Sequence, residues 1–180
     1  EVYSLAKDHG LGGHIAFVEE YDMHTAKFLI HGADVWLNTP RPPQEACGTS
    51  GQKAALNGVP HLSILDGWWV EACELHAGWC IGRGETYDDL NYQDQVESQS
   101  LYDLLETEVI PLFFARDALG LPAAWISRIR ETIQALAPVF NTNRMVRQYA
   151  EKLYLPNQLR WEQLNSDQER IQRLSQWKSH

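Results

Sequence analysis

Along the first 67 residues apolar and polar positions change over in short blocks, and the blocks predict strands alternating with helices. The runs at 14–19 ("HIAFVE"), 33–38 ("ADVWLN") and 61–67 ("HLSILDG") each predict a short strand. Between them, 22–30 has helical spacing, with Asp22 suited to capping its start and Gly32 near its end. A further short helix is expected over 49–57, stopped by Gly58, and another over 2–8. After Gly84 the period becomes helical throughout. Helices are expected over 94–114, 123–136 and 142–154, broken by Pro111, Pro122, Pro138 and Pro156, with a polar helical tail over 166–178.

Strand, helix, strand in this order predicts a parallel sheet with helices on its faces, an α/β fold. Only three strands can be placed, whereas a parallel sheet covered on both faces has more. The first half of a doubly wound domain is therefore expected to be missing from these residues. That would leave an apolar edge strand unpaired and disposed to self-association. Three regions are expected: 1–84 as the second half of a sheet domain, 85–156 as helices packed on it, and 157–180 as a polar helical tail.

Composition narrows the function classes. A length of 180 residues suits one domain or part of a larger one, and 44% hydrophobic content with seven tryptophans supplies a packed core. A net charge of −9 argues against nucleic acid as a partner. No apolar run approaches the ~18 residues needed to span a membrane. The first ten residues lack a signal-peptide layout, and three cysteines (Cys47, Cys73, Cys80) read as reduced thiols, so a cytoplasmic location is expected. Cys73, His76 and Cys80 are too loosely spaced, and lack an evident fourth ligand, to predict a metal site. His9, His14, His24, His31 and His61 read as structural, and Trp68, Trp69 and Trp79 as core packing. The carboxylates of 85–108 read as a solvated helix face.

One segment, "EACGTSGQKAALNG" (45–58), carries candidate chemistry. Thr49 and Gln52 have capping-box spacing, with Thr49 as the N-cap. The free amides and positive dipole end of such a turn attract an anion, and Gly48 and Gly51 would let a ligand approach the backbone. The turn is expected at the carboxyl end of a parallel strand, where open sheets bind ligands. Lys53 reaches the same space. An anion cradle beside a lysine fits a phosphate-bearing aldehyde held covalently by the amine, as in pyridoxal phosphate. A capped helix with a solvated lysine fits the same spacing.

The longer run 19–69, through "DVWLNTPRPPQEACGTSGQKAALNGVPHLSILDGWW", resembles the pyridoxal-phosphate region of the α-glucan (glycogen, starch, maltodextrin) phosphorylases of bacterial type. "LYDLLETEVIPLFFAR" and "APVFNTNRMVRQYAEKLYLP" resemble helices in the C-terminal part of that family's catalytic domain, so the likeness covers roughly 14–156. The resemblance implies the C-terminal, Rossmann-like domain of a GT-B glycosyltransferase fold, with pyridoxal 5'-phosphate as cofactor. It implies phosphorolysis of α-1,4-glucan by inorganic phosphate to glucose 1-phosphate with retention, in a chain of which this is a fragment, inactive alone. Carried over by position, Lys53 is the cofactor lysine. Gly48, Thr49 and Gly51 contact the cofactor, Thr49 at its phosphate, and Tyr21 lies nearby. Glu45 binds hydroxyls of the glucosyl unit, with Cys47 and Gly48 continuing that edge. The family usually has serine at Cys47, methionine at Gln52 and a second arginine at Pro42. A thiol is a weak hydrogen-bond donor, so the substitution at Cys47 weakens that sugar contact.

Two other readings compete. Retaining sugar-nucleotide glycosyltransferases, such as glycogen and starch synthases, carry a similar outline that Glu45, Gly48, Gly58 and Pro60 follow. They place a glutamate where Lys53 stands, to accept hydrogen bonds from the nucleotide ribose, which a lysine cannot do. The third reading is a phosphorylase-like interaction module without catalysis.

Overall fold

The computed structural model describes residues 2–42, 44 and 47–178. Helix α1 (Val2–Asp8) and helix α2 (Met23–Gly32) precede strand β1 (Trp36–Asn38). Then come α3 (Thr49–Leu56), β2 (His61–Ile64), α4 (Trp68–Ala72) and β3 (Gly78–Ile81). The rest is helical: α5 (Leu90–Leu104), α6 (Ile110–Phe114), α7 (Ala123–Leu136), α8 (Thr142–Tyr149), α9 (Leu155–Asn165) and α10 (Gln168–Lys178).

The three strands form one parallel sheet in the order β1-β2-β3. Trp36 pairs with His61, and His61 with Gly78, so one row of residues crosses the sheet. Every residue of β2 is buried, whereas β1 and β3 are covered only in part. Side chains alternate along β2. Leu62 and Ile64 enter a core with Trp79, Ile81, Val109 and Trp125. His61 lies instead against Trp68 and Trp69, which form a second core with Ala55, Ala72, Ala77 and Leu136. Helix α7 ties the two together, since Trp125 belongs to one cluster and Leu136 to the other. Its Thr132 hydroxyl donates to the carbonyl of Ala77 at 2.9 Å, and Arg128 donates to that of His76 at 2.7 Å. Trp68, Trp69 and Trp79 are all buried, in agreement with their reading as core.

An α/β fold with a parallel sheet is therefore present, but the strands differ from those expected. Residues 14–19 form no strand, and Phe17 is 82% exposed. The third strand is instead Gly78–Ile81, pairing with β2. Helix α2 starts as expected, with the Asp22 carboxylate accepting from the Thr25 amide at 2.7 Å. Helix α3 ends at Leu56, with Gly58 in the left-handed region at φ 79°. Neither Pro111 nor Pro156 breaks its helix. Each is preceded by a π-helical turn, Leu105–Val109 and Ala150–Tyr154, whose wider spacing accommodates a ring that would clash in an α turn. Cys73 and Cys80, expected as free thiols, are joined as a disulfide. The reversal between α4 and β3 brings their Cα atoms to 6.3 Å, within bridging range.

Candidate functional site

Helix α3 begins where the loop leaving the carboxyl end of β1 returns to the sheet. The Trp36 indole of β1 donates to the Ser50 hydroxyl at 3.2 Å and ties the first turn of α3 to the strand. This is the position at which open parallel sheets present helix amides to a ligand. The capping differs from expectation. Gly48 is the N-cap and Thr49 already lies within the helix, with no side-chain cap to the first turn. Thr49 is exposed and makes no side-chain capping bond. Gly48, Thr49 and Gly51 stand at the start of this helix, and Lys53 follows in its last turn.

The two glycines do different things. Gly51 is buried, and the space beside its Cα is filled from below by the imidazole of His61. A β-carbon there would stand 2.5 Å from Cε1 and 2.9 Å from each ring nitrogen. The lack of a side chain at Gly51 therefore admits His61, not a ligand. Gly48 is partly exposed at the mouth of the turn.

Lys53 is exposed, and among the described residues no carboxylate pairs with its amine. Its carbonyl accepts from the Asn57 side chain at 2.8 Å, which closes the helix and leaves the amine untouched. The other nearby cation is committed. Arg41 donates from Nε and Nη2 to the two oxygens of Asp94 on α5, at 3.1 and 2.5 Å. That pair borders a cavity of about 330 Å³ at the carboxyl ends of the strands, lined also by Thr39, Ile64, Ile81 and Glu97. None of the predicted site residues among the described ones lines it.

Tyr21 is 58% exposed in the loop before α2. Cys47 is a free, exposed thiol just before the turn. Glu45 lies outside the described residues. Sequence reasoning missed what lies beneath the turn. His61 is fully buried, and desolvation lowers its pKa from 6.5 to about 4, so its ring is neutral at neutral pH. The signal was present: a histidine within the otherwise apolar run "VPHLSIL".

Among the described residues, no three His, Cys, Asp or Glu side chains assemble as metal ligands, and no helix is long and apolar enough to cross a membrane. No family model matches the chain. Individual proteins do. A glycogen phosphorylase of Aquifex aeolicus is 49% identical over 153 residues, 85% of this chain and 22% of the relative. One of Mycobacterium tuberculosis is 49% identical over 142 residues, 79% of this chain and 16% of the relative. A maltodextrin phosphorylase of Thermococcus litoralis is 44% identical over 155 residues, 86% of this chain and 18% of the relative. The chain thus spans about a fifth of the length of the curated relatives it matches. By sequence it is a relative of the glycogen and maltodextrin phosphorylases, as the motif around Lys53 implies.

Proposed function

We propose that these residues are the cofactor-binding part of an α-glucan phosphorylase, a glycosyltransferase acting within a longer chain. In this reading the sheet with α3 and α4 (1–84) is the second half of a Rossmann-like GT-B domain. The helices of 85–156 pack on that domain, and 157–180 are a tail. The observation that carries the proposal is the start of α3 after β1, with Thr49 exposed, Gly48 partly exposed and a Lys53 amine that no carboxylate pairs among the described residues.

These residues fit pyridoxal 5'-phosphate by their own chemistry. Lys53 is an exposed primary amine free to hold an aldehyde, and the start of an eight-residue helix attracts a phosphate. When bound, the cofactor supplies a phosphate group that exchanges a proton with the inorganic phosphate substrate. Lys53 then serves as anchor and moves no proton in the reaction. The Gly48–Thr49 amides orient the anion. Tyr21 stands beside the cofactor in this reading. Glu45, with Cys47 and Gly48, orients the glucosyl unit of an α-1,4-glucan, a positioning contribution. The products are glucose 1-phosphate, formed with retention, and a glucan one unit shorter.

The pairing of Arg41 with Asp94 supports the inference that these residues are inactive alone. Two phosphates side by side need cations, and Arg41, on the segment that leads from β1 to α3, is already paired with Asp94. The β1 edge and the exposed apolar side chains of α2 and β1 support a second inference. Met23 at 91%, Phe28 at 61% and Leu37 at 49% exposure require a cover. In the whole protein that cover is the remainder of the sheet domain, and in these residues alone it is a second copy.

The test is a donor assay on the whole protein. Phosphorolysis of maltodextrin with release of glucose 1-phosphate is expected. Glucosyl transfer from ADP-glucose or UDP-glucose at a matching rate would favour the sugar-nucleotide reading instead.

A further inference from the structure

Beneath the first turn of α3 lies a small, partly open space lined by Asn38, Gly48, His61, Ser63, Asp66 and Trp69. Its volume, about 10 Å³, is close to what one water molecule needs. Three of these residues carry buried polar atoms without a well-aligned protein hydrogen bond: both ring nitrogens of His61, whose ring also lies near the Trp36 backbone, Oδ2 of Asp66 and Nε1 of Trp69. Two other polar groups nearby are committed, while the Asn38 side chain also borders the space. Asp66 Oδ1 accepts from the Gly67 amide at 2.8 Å, and the Ser63 hydroxyl donates to the Ile64 carbonyl at 2.9 Å.

The unpaired set is chemically complementary. An indole N–H only donates, a carboxylate oxygen only accepts, and a neutral imidazole does one of each. The His61 and Trp69 rings meet edge to face at 4.6 Å between centroids, so both border the same space. Buried polar groups are almost always satisfied by protein or by an internal water making about three hydrogen bonds.

We propose that this space is a built water site, in which one water joins His61, Asp66 and Trp69 and so makes His61 a positioning residue for the Gly48–Gly51 turn. The water donates to Asp66 Oδ2, accepts from Trp69 Nε1, and fixes which nitrogen of His61 carries the proton. Because the imidazole fills the space under Gly51, fixing the ring fixes the height of the turn above the sheet. Burial keeps the ring neutral, which lets it accept as well as donate. None of this depends on what the turn binds.

The test uses the full chain and needs no cofactor. A crystal structure at water-resolving resolution should show one ordered water within hydrogen-bond distance of Asp66 Oδ2 and a His61 nitrogen. Nitrogen-15 shifts should report a single neutral tautomer of His61 at pH 7. An empty space, or a direct His61–Asp66 hydrogen bond, would overturn the proposal. Two variants separate this role from filling of volume. His61→Asn keeps polar groups but is smaller, whereas His61→Leu fills the space but has none. Amide exchange at residues 49–52 should quicken at least tenfold in His61→Leu and less than threefold in His61→Asn. The opposite order, or equal effects, would make His61 a packing residue only. Should His61→Leu fail to fold, the water and the tautomer in the parent protein still decide.

Discussion

Gly51 sits directly over the imidazole of His61, so close that a β-carbon on Gly51 would stand 2.5 Å from the ring. One contact thus sets the separation of the candidate ligand turn from the central strand. Gly51→Ala should destabilise the fold by about 1–3 kcal/mol, the usual range for overpacking a filled interior. His61→Ala in the same chain should recover part of that loss, since the two residues share one space. Urea denaturation of the single and double variants measures both. Additive losses would mean that the two do not press on each other.

The same histidine sets a pH dependence. Its pKa is near 4 in the folded state against 6.5 ordinarily, so the unfolded chain takes up the proton first as pH falls. The stability is complete above about pH 6.5 and is lost progressively toward pH 4, by about 3 kcal/mol in all. Asp66 is the one other acidic or basic residue that lines the same cavity among the described residues. Unfolding midpoints at pH 7, 5 and 4 should fall more steeply in the parent than in His61→Asn. Parallel curves would show that the ring is not buried as a neutral base.

Much of the fold was legible because local chemistry agreed with it. The Asp22 cap and the Gly58 stop define α2 and α3 from sequence alone, and α7 spans the predicted 123–136. The misses have physical reasons. "HIAFVE" looks like a strand because its residues are apolar, yet a strand needs a partner, and Phe17 is exposed. Gly78–Ile81 is short and lacks alternation, so only its pairing with β2 reveals it. Pro111 and Pro156 look like breakers until the preceding turn widens. The candidate role of Lys53 comes from the family resemblance, since its spacing fits a solvated lysine equally, whereas a solitary buried histidine becomes informative only once Gly51 is seen above it.

Glu45 is proposed to position the sugar. In the whole protein, Glu45→Gln should lower turnover more than tenfold, because a hydrogen bond to a charged group contributes about 1.5–3 kcal/mol. Cofactor content should stay the same. Steady-state kinetics with maltodextrin, alongside pyridoxal phosphate quantitation, check this. Unchanged kinetics would remove Glu45 from the site.

These residues alone should release no glucose 1-phosphate from maltodextrin, and light scattering should give the mass of a dimer or larger. Leu37, 49% exposed on the edge strand β1, is the residue to alter. Leu37→Lys should shift the population toward monomer, as an edge charge discourages strand pairing. An active, monodisperse monomer would show that the fold is complete without the upstream half.

The most direct measurement concerns Lys53. The protein is incubated with pyridoxal phosphate, reduced with borohydride and mapped by peptide mass spectrometry. The adduct should lie on Lys53 and disappear in Lys53→Ala, with no other lysine taking its place. An adduct on Lys7, Lys27 or Lys152 instead, or one that persists in Lys53→Ala, would contradict the assignment of the α3 turn as the cofactor site.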